Sequence, residues 1–163
     1  MIKFIESNAS NIIAVVAILF TAYQAYLYRI HNVLSVKPHL NIFEIDGYEN
    51  ETAFLAVQLQ NNGLGPAFIT SFNVYLDGKI FDDFDEALKI VLQGILCTYS
   101  KSYLAKDYAV PAQKTVDIVN VRLSLGQKPS TEIYQALARL DIEIAYSCGY
   151  KKKYKPVTTK HIG

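Results

Sequence analysis

The chain has 163 residues, 51% of them hydrophobic, with 16 Lys and Arg against 15 Asp and Glu, and two cysteines. That length leaves room for one domain of ordinary size, and cysteines as far apart as Cys97 and Cys148 are no disulfide framework of a small secreted fold, although a single bridge between them stays open. The formal charge of +1 hides a division: residues 38–150 hold 8 basic against 14 acidic side chains, residues 151–163 hold five lysines and no acid, and residues 1–37 carry a net +2.

Ser7 to Tyr28 contains no charged residue across 22 positions. As a helix it would be about 33 Å long, enough for a hydrocarbon core of about 30 Å. It ends in Tyr23, Tyr26 and Tyr28 followed by Arg29, an aromatic belt with a cationic stop. A cleaved signal peptide and a buried core helix are the alternatives, and both fit less well. Within the span Ala17, Thr21 and Ala25 are spaced four apart, with Ala14 and Gln24 beside them. Small residues let helix backbones approach, and a glutamine in hydrocarbon gains by bonding to a partner helix, so Ala17, Thr21, Gln24 and Ala25 are candidates for a homo-oligomeric contact. Only Lys3 and Glu6 precede the span, whereas Arg29, His31 and Lys37 follow it. The bias places the carboxyl side in the cytoplasm. Residues 1–36 are therefore read as anchor and exit helix, and 37–163 as one cytosolic domain.

Beyond Lys37-Pro38, His39 to Ile45 reads as a strand ended by an Asp46-Gly47 turn. Thr52 to Gln60 alternates with a period of two. Asn61-Asn62-Gly63-Leu64-Gly65-Pro66 follows, rich in residues that tolerate positive φ. It is either a tight loop between strands or, through Asn61, Asn62, Gly63 and Gly65, a set of backbone amides turned towards an anion. It lacks the lysine-serine ending of a phosphate-binding loop. Ala67 to Leu76 is a third strand with Phe68, Phe72, Val74 and Leu76 on one side, closed by Asp77-Gly78. Asp82 or Asp83 can cap an amphipathic helix that carries Phe84 through Ile95 and, late in it, Cys97. Thr115 to Leu123 alternates again, Pro129-Ser130-Thr131-Glu132 opens a second short helix, and Asp141 to Ser147 is a final core strand before Cys148-Gly149 turns the chain into Tyr150 to Val157. The predicted fold is one N-terminal transmembrane helix plus a mainly-β, sandwich-like α+β domain with two short helical insertions.

No catalytic constellation assembles from these residues. His31, His39 and His161 have no metal-ligand spacing with one another or with a cysteine, and the carboxylates Asp82, Asp83, Asp85 and Glu86 sit where cap and dipole chemistry expects them. No enzyme activity, metal or cofactor is expected, nor is duplex nucleic acid as a partner. The stretch that invites a functional reading is Tyr150-Lys151-Lys152-Lys153-Tyr154-Lys155. Extended, it would project Lys151, Lys153 and Lys155 to one side and Tyr150, Lys152 and Tyr154 to the other. Tyrosines stack on bases and lysines neutralise phosphates, which suits a short oligonucleotide or nucleotide messenger. The same lysines suit anionic lipid, or simply protect a sheet edge.

A single amino-terminal span, an exit through Val36-Lys37-Pro38-His39-Leu40, then Gln60-Asn61-Asn62-Gly63-Leu64-Gly65-Pro66-Ala67 and Tyr75-Leu76-Asp77-Gly78-Lys79 resemble a group of small bacterial single-span membrane proteins with a cytosolic β-sandwich. In layout the chain also resembles membrane effectors of bacterial antiviral defence, including those of type III CRISPR systems. That resemblance implies an inner-membrane, oligomeric sensor-effector whose cytosolic domain binds a cyclic oligoadenylate. The alternative is a membrane-tethered interaction module with a lipid-binding basic tail and no nucleotide.

Overall fold

The computed structural model describes residues 2–124 and 131–160. It divides into two compact units, Met1–Ser35 and Val36–Gly163. The first is one helix, α1 (Ile2–Ser35), 34 residues long and uninterrupted by proline or glycine. Its stretch Asn8–Ser35 is long and apolar enough to cross a membrane, and none of it is buried against protein. Ile12, Val16, Leu19 and Phe20 are all more than half exposed. Such a surface is costly in water and at home in lipid.

The second unit is mainly β, with two further short helices. One antiparallel sheet has the order β1-β2-β7-β5, built from β1 (Leu40–Glu49), β2 (Thr52–Asn61), β5 (Cys97–Lys101) and β7 (Thr115–Leu123). The other has the order β4-β3-β8-β9, with β6 also paired to β3: β3 (Ala67–Leu76), β4 (Lys79–Phe81), β6 (Ala109–Val110), β8 (Leu140–Ser147) and β9 (Val157–Thr158). Leu55, Leu59 and Val121 of the first sheet share one buried cluster with Ile69, Ile142 and Ile144 of the second. Alternation puts these side chains on one face of each strand, and the two faces close on each other as a sandwich.

Two short helices complete the core. Asp83 caps α2 (Phe84–Val91), its carboxylate accepting from the Asp85 amide at 2.8 Å. Phe84 then meets Phe72 of β3 edge to face, at 5.6 Å between ring centroids. Asp85 takes Lys89 at 2.7 Å, Lys101 of β5 at 2.9 Å and the Tyr99 hydroxyl at 3.1 Å, so the helix is tied to both sheets. The helix α3 (Thr131–Leu137) buries Ile133 and Leu137. The proline and serine read as its start, Pro129 and Ser130, lie outside the described residues.

Several local expectations are corrected. β1 does not turn at Asp46-Gly47 but runs through it to a two-residue turn at Asn50-Glu51, both at positive φ (50° and 64°), the backbone of a tight hairpin. Gly47 lies in the strand opposite Phe54, where a Cβ would come within 3.0 Å of the ring. Phe68 is not in phase with Phe72: a register shift between Ile69 and Ser71 turns Ala67 and Ile69 inward on one side of it and Val74 and Leu76 inward on the other. The helix carrying Phe84 stops at Val91, ahead of Gly94 at φ +84°, and Cys97 opens strand β5 instead of ending a helix.

Candidate functional site

The basic tail is a folded-back turn, not one extended strand. Lys151 sits at φ +58°. The Cys148 amide donates to the Lys152 carbonyl at 3.0 Å and the Lys151 amide to the Cys148 carbonyl at 2.8 Å. Lys153 bridges back to Ser147, and the chain rejoins the sheet at β9. This geometry separates the two tyrosines. Tyr150 is exposed, whereas Tyr154 is half-buried and stacks on Tyr146 of β8 at 5.6 Å with 17° between the rings. The alternation expected of an extended segment is therefore absent: a positive-φ residue and a half-buried aromatic set the directions instead.

Lys151, Lys152, Lys153 and Lys155 are exposed, and among the described residues none of them makes an ion pair. Lys37, two residues after the end of α1, lies with its Nζ 6.0 Å from the Tyr154 ring centroid. Tyr154 thus joins the residue that leaves the anchor to the cationic turn. Burial, and then the neighbouring Cys148, push the Tyr154 hydroxyl up to about 12. Burial alone would raise the Cys148 thiol, but backbone contacts at Lys152 and Tyr150 and the Tyr154 hydroxyl outweigh it and lower it. Cys148 is 1% exposed and both cysteines are free thiols, so no bridge joins Cys97 to Cys148.

The loop after β2 performs a different task from an anion cradle. Asn61 is fully buried, and its Oδ1 accepts from the His39 amide at 3.1 Å and the Gly63 amide at 3.0 Å. Its Nδ2 donates to the carbonyls of Gly65 at 2.9 Å, Val110 at 3.1 Å and Pro111 at 3.2 Å. The Asn62 amide is spent on the His39 carbonyl and the Leu64 amide on that of Lys37. With the amides of Asn62, Gly63 and Leu64 taken internally, the loop holds the exit segment of this unit, residues 36–39. Gly63 and Gly65 have ordinary φ and are needed for close approach: a Cβ on Gly63 would overlap the Lys37 carbonyl, and one on Gly65 that of Val36.

In α1, Ala17, Thr21, Gln24 and Ala25 are all exposed. The Thr21 hydroxyl donates to the Ala17 carbonyl at 2.8 Å, which satisfies it within its own helix. Gln24 makes no side-chain hydrogen bond among the described residues. Of the histidines, His31 lies in α1, His39 gives only its backbone to the Asn61 cluster, and His161 is outside the described residues. No group of three or more His, Cys, Asp or Glu with metal-site geometry occurs among the described residues.

The sequence reading missed the Lys37–Tyr154–Tyr146 stack and the clamp made by Asn61. The second left a signal: Asn61 continues the inward-facing series Leu55, Val57, Leu59, and an amide in an apolar series has to find internal partners. No protein-family model matches the chain, and no curated protein matches it.

Proposed function

We propose that this chain is a single-pass protein of the bacterial inner membrane whose cytoplasmic sandwich is an interaction module, with the Lys151–Lys155 turn resting on anionic lipid headgroups. The observation that carries this reading is the contact of Lys37 with Tyr154, beside four exposed lysines that have no carboxylate partner among the described residues. α1 stays helical from Arg29 to Ser35, so Lys37 follows the cationic stop by at most about 16 Å of chain. Tyr154 is then tied to the segment that enters this unit, and lysines on a domain tethered so close to a bilayer gain about 1 kcal/mol each where they reach anionic lipid. The attraction fades over roughly 8 Å at physiological salt, so the reading requires the turn to reach the headgroups themselves. Arg29, His31 and Lys37 after the span support the cytoplasmic side, and the bacterial setting rests on the resemblance in layout.

The experiment is amine labelling of the full chain in vesicles. Lysines 151, 152, 153 and 155 are expected to react more slowly when anionic lipid is present, and to recover at high salt. Equal rates in zwitterionic and anionic vesicles would remove the lipid contact.

A second reading, an oligomeric sensor-effector of antiviral defence that binds a cyclic oligoadenylate, draws support from exposed Tyr150 beside the same lysines. Tyr146 already covers one face of the Tyr154 ring, which leaves the proposed base-stacking site with one free aromatic. A rise in melting temperature of the full chain with cyclic oligonucleotide, abolished by Lys151→Ala/Lys152→Ala/Lys153→Ala, would favour this reading over the lipid one.

A further inference from the structure

Among the described residues the sheet edges other than β1 are short: β4 has three residues, β6 and β9 two each, and β5 five. β1 differs. It ends its sheet over ten residues, pairs with β2 in one unbroken register, and contains no lysine, arginine or proline. Long edges usually carry such residues or a bulge, because a bare row of amides and carbonyls recruits another strand. The two-residue turn closes on Glu49 and Thr52 as a hydrogen-bonded pair, and near the other end the Asn62 amide donates to the His39 carbonyl. The odd-numbered residues of β1 therefore bond to β2, and the amides and carbonyls of Ile42, Glu44, Asp46 and Tyr48 point away from it. Among the described residues none of these groups has a hydrogen-bond partner. They form a row about 20 Å long. The side chains of the same four residues share one face. Two of them are carboxylates, Glu44 and Asp46, both exposed and without an ion pair among the described residues. On the opposite face Phe43 and Ile45 are half-buried.

We infer that β1 receives an extended basic segment of another protein, added to the sheet as a further strand. Lysines or arginines of that segment lie opposite Glu44 and Asp46, and apolar residues alternate with them beside Phe43 and Ile45. Backbone pairing supplies the attachment and the two carboxylates supply the choice of partner. They also reject a second copy. Two β1 edges meeting antiparallel bring their outward residues opposite one another, and the registers that use most of the row set Glu44 against Glu44 or Asp46, or Asp46 against itself. Like charges placed so are unfavourable. A cation is favoured over the whole body as well, since residues 38–150 hold 8 basic against 14 acidic side chains. This inference rests on the reading of the sandwich as an interaction module, names its docking edge and partner chemistry, and is independent of the lysine turn.

The test is amide hydrogen exchange, read residue by residue, on the full chain in zwitterionic nanodiscs. The probe is a synthetic peptide of alternating lysine and valine, as long as β1. With the peptide at about ten times its Kd, exchange at Ile42, Glu44, Asp46 and Tyr48 should slow about tenfold, while the odd-numbered amides, already bonded to β2, change little. A peptide with glutamate in place of lysine should leave the row unprotected. Methylating the lysine amides of the first peptide keeps its charge and removes its donors, and should weaken binding about tenfold or more. Glu44→Lys combined with Asp46→Lys should invert the preference between the two peptides; if that variant does not fold, the peptide comparison on the native chain still decides. Equal protection by both peptides would overturn the basic partner, and undiminished binding of the methylated peptide would overturn strand addition. A row already protected before peptide is added would overturn the inference in favour of a second copy. Peptide bound with protection elsewhere in the sandwich would overturn the edge while sparing the interaction-module reading, and no binding at all would overturn the inference outright. None of these results alters the lysine labelling, so the lipid contact fails separately.

Discussion

The Asn61 carboxamide oxygen accepts the His39 amide at 3.1 Å, joining the end of β2 to the segment that leaves the anchor. The same side chain donates to carbonyls on two other segments, at Gly65 and at Val110 and Pro111. Asn61→Ala would leave several buried backbone groups without partners, at about 1–3 kcal/mol for each group that water cannot reach. A loss of about 3 kcal/mol is expected from denaturant unfolding of the domain. Asn61→Asp should also destabilise, because a carboxylate cannot donate to the three carbonyls.

The glycines of the domain should rank by what faces them. A Cβ on Gly65 meets the backbone of Val36, which cannot yield, whereas one on Gly47 meets the edge of the Phe54 ring, which can. Gly65→Ala is expected to cost about 3 kcal/mol and Gly47→Ala about 1 kcal/mol or less. Thermal unfolding of the two variants measures the order, and equal costs would show that the exit segment is not held as described.

Acid should loosen the α2 contact. Hydrogen bonds from Lys89 and Lys101 hold the Asp85 carboxyl well below its ordinary value of 3.8. A depressed folded-state value stabilises the fold above the ordinary value, and that contribution disappears as the pH falls below it through the folded value. Asp85→Asn is expected to flatten the acid limb of a stability–pH curve below about pH 4.

At high pH the most strongly shifted tyrosine is Tyr154. Its hydroxyl is raised from 10.0 to about 12 by burial and then by Cys148. The unfolded chain therefore loses this proton first, and stability falls between roughly pH 10 and pH 12. Ultraviolet difference titration should show Tyr99 and Tyr134 ionising late as well, with the latest step vanishing in Tyr154→Phe. Tyr154→Ala should destabilise more than Tyr154→Phe, because it also removes the stack on Tyr146.

Much of the architecture was legible because it rests on local patterns. The uncharged run gave α1, the period of two in Thr52 to Gln60 and Thr115 to Leu123 gave the central strands, and Asp83 gave a helix start. Errors arose where one residue's tertiary neighbour overrides its propensity. Gly47 signals a turn until Phe54 is opposite it, and a shift beside Thr70 reverses the phase of Phe68. The site was half legible. Its lysines stand out by composition, but the folding back of the turn depends on Lys151 in a left-handed conformation, and the meeting of Lys37 with Tyr154 joins residues 117 positions apart. No local pattern records such a contact.

The chain contains no tryptophan, so Tyr150→Trp places a single reporter at the exposed tip of the basic turn. The most direct measurement is quenching of that fluorescence by brominated lipid in full-chain vesicles. With anionic lipid the account predicts quenching and a blue shift, both lost at high salt and in the background of Lys151→Ala, Lys152→Ala and Lys153→Ala. Emission that is the same in zwitterionic and anionic vesicles, and insensitive to salt, would contradict it.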